Sequence, residues 1–304
     1  MLEGLLTEQP GGGGQPSGQS LTQLLAGMAQ ADAAILPAIA AELPRIESAV
    51  AAVVAALHGG GRLFYIGAGS SGRLGVLDAA ECPPTFHTPP DLVRAILAGG
   101  DAALRRSVEG AEDDGEAGVR DLIASGLRPG DAVAGISASG RTPYVLAALA
   151  HARRVGAITI GISCTPASEL SRAVEFPIEA LTGPEIISGS TRLRAGTATK
   201  IILNMLSTAT MIQLGYTYRG LMVNVQPTNT KLEDRARRII QQLTGVSYQR
   251  ASELLDQAGR SVPAAIVMEK KSVDRAEAER LLASARGRLG VVLDGDAAPN
   301  KGKK

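Results

Sequence analysis

Asp131-Ala132-Val133-Ala134-Gly135-Ile136-Ser137-Ala138-Ser139-Gly140-Arg141-Thr142 is a short apolar run that ends in three hydroxyl side chains around a glycine. A run of this length, bounded by turn residues, reads as a buried strand. The hydroxyl loop stands where that strand gives way to a helical stretch, Tyr144 to Arg154. Such a loop can wrap a phosphate monoester with side-chain hydroxyls and backbone N–H groups. Helix capping is the plainer use of Ser and Thr here. One residue suffices for a cap, however, and the spacing of Ser137, Ser139 and Thr142 favours phosphate.

The same texture extends in both directions. Arg62 to Ile66, Leu92 to Leu97, Ala157 to Ile162 and Phe176 to Leu181 are further apolar runs, separated by helical stretches such as Leu104 to Ala124. Strands alternating with helices predict an α/β fold of parallel βαβ units with right-handed crossovers. Continuous apolar strands suit a sheet covered on both faces. Upstream, residues 10–19 are Gly-, Pro- and polar-rich and read as flexible. Residues 20–58 read as helical, with Leu21, Leu24, Leu25 and Met28 at helical spacing and Pro44 starting or kinking a helix. A long apolar helix is expected over 196–215. After Pro227 the chain turns charged, with three short helices expected at 233–243, 247–257 and 274–285 and Ser261 to Met268 in their shared core. These readings divide the chain into an N-terminal flexible segment with helices (1–52), a sheet domain (53–228) and a small helical domain with a tail (229–304).

Composition narrows the classes of function. The 304 residues are 45% hydrophobic, enough for one large core and a smaller satellite. Lys and Arg total 31 against 30 Asp and Glu, which gives no general attraction to nucleic acid or anionic membrane. The ending Lys301-Gly302-Lys303-Lys304 is a short basic tail, expected to fray. Two cysteines, Cys82 and Cys164, suit a reducing cytoplasmic setting rather than a disulfide scaffold. The three histidines, His58, His87 and His151, lie far apart, and no metal or other cofactor is expected. Met1 to Glu8 shows no signal-peptide pattern, and no charge-free apolar stretch of about 18 residues predicts a membrane span.

The first strand ends in Gly67-Ala68-Gly69-Ser70-Ser71-Gly72-Arg73, a GxGxxG between strand and helix. As a dinucleotide fingerprint it is weak. The acidic residue that binds a ribose belongs at the end of the next strand, whereas Asp91 opens that strand. Gly69, Ser70 and Ser71 at a helix start instead suggest an anion site.

Ser137-x-Ser139-Gly140-x-Thr142 resembles the phosphosugar loop of the sugar isomerase (SIS) fold, a flavodoxin-like parallel sheet flanked by helices. Further stretches narrow the resemblance: Leu77-Asp-Ala-Ala-Glu81-Cys-Pro-Pro-Thr85, Val108-Glu-Gly-Ala-Glu112-Asp113-Asp114, Gly183-Pro-Glu185 through Ser190-Thr191-Arg192 to Thr197, and Asn204-Met-Leu-Ser-Thr208. Together they are similar to the N-acetylmuramic acid 6-phosphate etherase family over roughly residues 45–290. The C-terminal helices resemble a ubiquitin-associated-type three-helix bundle. One departure lies at the start, where Thr7-Glu8-Gln9-Pro10-Gly11 lacks the Asn of the family's Thr-Glu-x-x-Asn.

The resemblance implies cleavage of the D-lactyl ether at C3 of N-acetylmuramic acid 6-phosphate, giving N-acetylglucosamine 6-phosphate and D-lactate. An unactivated ether resists displacement by water, but the aldehyde of the ring-opened sugar acidifies the C2 proton. Elimination then needs one base and one acid. By resemblance Glu81 is the acid at the leaving lactate and Glu112 is the base at C2. The residues alone do not separate Glu112 from Glu109, whereas the place of Glu81 between Ala80 and Cys82-Pro83-Pro84 argues against a solvated helix glutamate. Ser137, Ser139 and Thr142 become phosphate ligands. Glu185 is a candidate for sugar hydroxyls or ring opening. Arg192, Arg194 and Lys200 are candidates for offsetting phosphate charge or for a dimer surface. His87 and Cys82 read as structural. The fold analogy also implies a homodimer with the site near its interface. A non-catalytic phosphosugar-binding regulator, an aldose–ketose isomerase and an NAD oxidoreductase are the competing readings. The pair Glu81 and Glu112 argues against the first, and the absent ribose acid and the second serine-rich loop argue against the last.

Overall fold

The computed structural model describes residues 6–9 and 18–295. Most of the flexible stretch expected over 10–19, and the basic tail, lie outside the described residues. The chain divides into two compact units: one runs up to Ala80 and resumes over Pro90–Ser207, the other comprises Glu81–Pro89 and the chain from Thr208 onward.

The first unit is built on five parallel strands, β1 (Leu63–Gly67), β2 (Val93–Leu97), β3 (Ala132–Ile136), β4 (Ile158–Ser163) and β5 (Phe176–Glu179), in the order β2-β1-β3-β4-β5. This is the flavodoxin-like order, with a topological switch between β1 and β3. The strands expected from sequence are all present within a few residues. Every residue of β1 and β3 is buried, which is why those strands read as unbroken apolar runs. At the N-terminal edge of the sheet, fully buried Asp131 accepts from the Arg62 amide at 2.8 Å and pairs with the Arg62 guanidinium at 2.8 Å, joining the starts of β1 and β3.

Helices α1 (Leu21–Asp32) and α2 (Ile35–His58) precede β1. The helix α2 continues through Pro44 and lays Ile39, Ile46, Ala49 and Val53 against the sheet. Its buried Glu42 accepts from the Glu179 amide of β5 at 2.9 Å. By length and composition alone, Leu21–His58 also satisfies the requirement of a membrane span, with a mean hydropathy of 1.5 in its apolar window. Asp32, Glu42, Arg45 and Glu47 interrupt this stretch, so it is not charge-free, and only 11% of the apolar window is buried.

After β1 come α3 (Gly69–Phe86), α4 (Ala102–Arg105), α5 (Gly115–Ala124), α6 (Pro143–Val155), α7 (Glu169–Ala173) and α8 (Arg194–Gln213). The single helix expected over Leu104–Ala124 is instead two, broken at residues 106–114. Gly110 takes φ +72° there, and Asp114 caps α5 by accepting from the Ala117 amide at 2.8 Å. The acidic run is a loop because its carboxylates satisfy helix-start amides better than they fill a helix interior.

The second unit contains α9 (Thr230–Thr244), α10 (Tyr248–Gln257), α11 (Val262–Lys271), α12 (Arg275–Ser284) and α13 (Leu289–Asp294) around one core. Five helices stand where three were expected. The run 261–268 lies in the shared core as expected, and it forms most of α11, capped by Ser261, with Val262 and Ala264 to Val267 fully buried. A helix buried on nearly every side shows no amphipathic period, so its sequence hides its type.

Candidate active site

The residues after β1 and β3 open a cleft of about 530 Å³, where flavodoxin-like sheets bind ligands. Two loops make its walls. In the first, α3 starts immediately after β1 because Gly67 and Gly72 approach closely: a Cβ on Gly72 would stand 2.5 Å from the Gly67 carbonyl oxygen. The first-turn amides of α3, from Gly69, Ser70 and Ser71, lack intrahelical acceptors and face the cleft with the positive end of the helix dipole.

The second loop holds its hydroxyls together. Ser137 Oγ lies 2.7 Å from Thr142 Oγ1 and 3.4 Å from Ser139 Oγ, and it accepts from the Gly140 amide at 3.1 Å. Gly140 adopts φ +67°, and a Cβ there would collide with the Ser168 side chain. Thr142 occupies the N-cap of α6 but makes no side-chain capping bond. Its hydroxyl turns to Ser137 instead, so the cluster does not merely cap. Ser137 is itself only 3% exposed, a buried polar anchor under the cleft floor.

Glu112 lines this cleft and Glu109 does not. The reason is a backbone tie: the Tyr144 amide at the start of α6 donates to the Glu112 carbonyl at 3.1 Å. Tyr144 is fixed in turn, its hydroxyl donating to Asp121 of α5 at 2.6 Å. Burial, reinforced by the Asp121 carboxylate, pushes the Tyr144 phenol far above its ordinary pKa, so it stays a donor. The exposed Glu112 carboxylate is thus carried on a loop pinned to the helix that begins with the hydroxyl cluster.

Two predicted site residues stand elsewhere. Glu81 is exposed on α3 and does not line the cleft. Glu185 is 1% exposed, and its two oxygens accept from the Arg194 and Ala195 amides at 3.0 and 2.9 Å. It caps α8 rather than presenting itself to a ligand in the cleft. Its charge adds to burial in pushing the Cys164 thiol up to about 12. Both cysteines are buried and neither is in a disulfide. His87 ends α3 at φ +58°, with its ring 3.0 Å from the Gln226 amide nitrogen, a structural role.

Sequence reasoning passed over Arg141, Gly189 and Thr191, which also line the cleft. Arg141 lay inside the decisive motif as an unassigned position, and Thr191 inside a quoted stretch, so the signal was present but carried no chemistry of its own.

A parallel sheet with a hydroxyl-walled cleft at its switch point defines a phosphosugar protein of the sugar isomerase class. Residues 45–153 match the glucokinase regulatory protein N-terminal SIS domain, and residues 111–209 match the SIS domain. A solved Bacteroides fragilis protein described as a phosphosugar isomerase involved in capsule formation shares the fold, with a TM-score of 0.50 and 21% identity over 65% of this chain and 93% of its own. An N-acetylmuramic acid 6-phosphate etherase of Geobacillus thermodenitrificans is 50% identical over 97% of this chain and 100% of its own length. Etherases of Gloeobacter violaceus and Jannaschia sp. are 51% and 53% identical over 86% and 80% of the chain, and over 86% and 77% of their own lengths. The chain belongs to the N-acetylmuramic acid 6-phosphate etherase family.

Proposed function

We propose that the cleft between β1 and β3 is where this chain performs its family's reaction, with Glu112 as the base. That reaction cleaves the D-lactyl ether of N-acetylmuramic acid 6-phosphate with water to give N-acetylglucosamine 6-phosphate and D-lactate, a carbon–oxygen lyase step in cell-wall amino-sugar recycling. The observation that carries the assignment is that Glu112 and the hydroxyls of Ser137, Ser139 and Thr142 share one cleft.

The 6-phosphate sits among those hydroxyls and the first-turn amides of α3 at Gly69, Ser70 and Ser71, with Arg141 offsetting its charge. Anchoring the phosphate places the opened sugar along the cleft toward Glu112. The Glu112 carboxylate takes the C2 proton, the C3–O bond breaks, and the lactyl oxygen receives a proton. Water then adds at C3 of the enal and C2 regains a proton. Positioning converts these transfers into first-order steps within one complex. Glu185, as a buried helix cap, supports α8 and is not among the ligands in this reading.

Glu81 is the acid at the leaving oxygen. Its exposure supports a homodimer in which Glu81 of the partner subunit serves the cleft. The helix α1 has no buried residue, and it and α2 expose Leu21 (71%), Leu25 (56%) and Leu36 (67%), apolar surface suited to a second copy. A cytoplasmic setting fits two buried cysteines that form no disulfide.

The direct test is D-lactate release from N-acetylmuramic acid 6-phosphate by the purified protein without added metal or nucleotide. Stoichiometric D-lactate and N-acetylglucosamine 6-phosphate are expected. Exchange of the C2 proton with solvent without lactate release would move the assignment to an isomerase, and binding without either would make the chain a regulator.

A further inference from the structure

Beside the phosphate cleft lies a second groove of about 460 Å³ whose chemistry the reaction as described does not use. It runs between the first halves of α3 and α8 and shares Ser70 with the cleft. Thr191 lines the cleft and the next residue, Arg192, lines the groove. A single small ligand therefore has access to both.

The groove is basic. Arg73, Arg192 and Lys200 line it, and no Asp or Glu does. Arg192 and Lys200 are exposed and make no ion pair among the described residues. Arg73 is fixed by its Nε donating to the Ala103 carbonyl at 2.9 Å, which sets the direction of its guanidinium. Leu74 and Leu77 supply an apolar wall, and Leu77 is 51% exposed. Lys200 lies near the buried Asp78, but cations that form no ion pair among the described residues, next to exposed aliphatic surface, suit a small carboxylate that carries a methyl group.

The etherase substrate carries two anions, the 6-phosphate and the lactyl carboxylate, and the lactyl arm also bears a methyl group. We propose that this groove is the subsite for the D-lactyl arm, with Arg192 and Lys200 taking the carboxylate and Leu74 and Leu77 the methyl group. The assignment rests on the reading of the β1/β3 cleft as the etherase site. It makes Arg192 and Lys200 specificity-determining residues: they distinguish the ether substrate from N-acetylglucosamine 6-phosphate, which has the phosphate but no lactyl arm. It also gives D-lactate a binding site after the bond breaks.

The test compares inhibition by the two products in wild type, Arg192→Gln, Lys200→Gln and the conservative Arg192→Lys and Lys200→Arg. Loss of a charge-assisted contact is expected to raise KM for the substrate, and the inhibition constant of D-lactate, by about tenfold or more in the Gln variants. The inhibition constant of N-acetylglucosamine 6-phosphate should stay within about twofold, which also shows that the variants are folded, and the charge-retaining variants should recover most of the loss. A parallel rise in both inhibition constants, or an unchanged substrate KM, overturns the subsite while leaving the etherase reading intact. A wild-type protein that binds N-acetylglucosamine 6-phosphate but releases no D-lactate overturns the etherase reading itself, and the subsite with it.

Discussion

Glu109 and Glu112 belong to one exposed acidic loop, and only their neighbours separate them. The bond from the Tyr144 amide to the Glu112 carbonyl brings Glu112 to the cleft wall beside the hydroxyl cluster, while Glu109 does not line the cleft. Glu112→Gln is therefore expected to lower kcat by about 10² to 10⁴ while N-acetylglucosamine 6-phosphate still binds. Glu109→Gln, at the same loop and with the same loss of charge, should leave kcat within about twofold. Steady-state lactate release with product-binding controls measures both, and equal losses would remove Glu112 from the base role. Glu185 shows the opposite outcome at this scale. Its place in a motif suggested contact with sugar, but a carboxylate between two helix-start amides is already satisfied.

At the scale of elements, the cleft depends on where α3 begins, and α3 is held from within the first unit by one buried carboxyl group. Asp78 accepts from the Tyr65 hydroxyl of β1 at 2.9 Å and from Asn204 and Ser207 of α8 at 2.6 and 3.1 Å. Burial raises its pKa, against the lowering effect of those bonds and of nearby Lys200. The folded protein thus holds a proton on Asp78 at pH values where the unfolded chain, near the ordinary 3.8, has lost it. Its stabilising contribution is fully present below that unfolded value and is lost as pH rises through the native one. Urea unfolding of wild type and Asp78→Asn across mildly acidic pH should show this: the wild type has a falling contribution that the variant lacks. The variant should also lose about 1 to 2 kcal/mol through its mismatched hydrogen bonds. Identical pH slopes would mean that Asp78 titrates alike in both states.

For the whole molecule, the two glutamates proposed for the elimination are Glu112, on the cleft wall, and Glu81, exposed on α3. If Glu81 of the partner subunit completes each cleft, mixing inactive Glu81→Gln and Glu112→Gln subunits creates hybrids with one intact site. Random reassembly should then restore about a quarter of wild-type activity, because half the dimers are hybrids and each has one working cleft. No recovery in verified mixed dimers would place both residues in the service of a single chain's cleft, and a fully active monomer would dismiss the dimer.

The sequence by itself determined the parallel sheet, its five strands and the hydroxyl loop after β3. Fully buried strands must be short and apolar, and a phosphate loop must put small hydroxyl and glycine residues where strand turns to helix, so both leave local marks. The α11 helix and the break at residues 106–114 were not legible in that way. The first is buried on nearly every side and loses its period, and the second is set by a cap and a left-handed glycine rather than by composition. Only the tertiary structure decided which glutamate faces the cleft, that Glu185 is a cap, that Glu81 is exposed, and that Arg73, Arg192 and Lys200 gather along one groove. Those outcomes depend on which backbone amides and side chains meet across positions far apart in the chain, and residue order carries no direct record of such meetings.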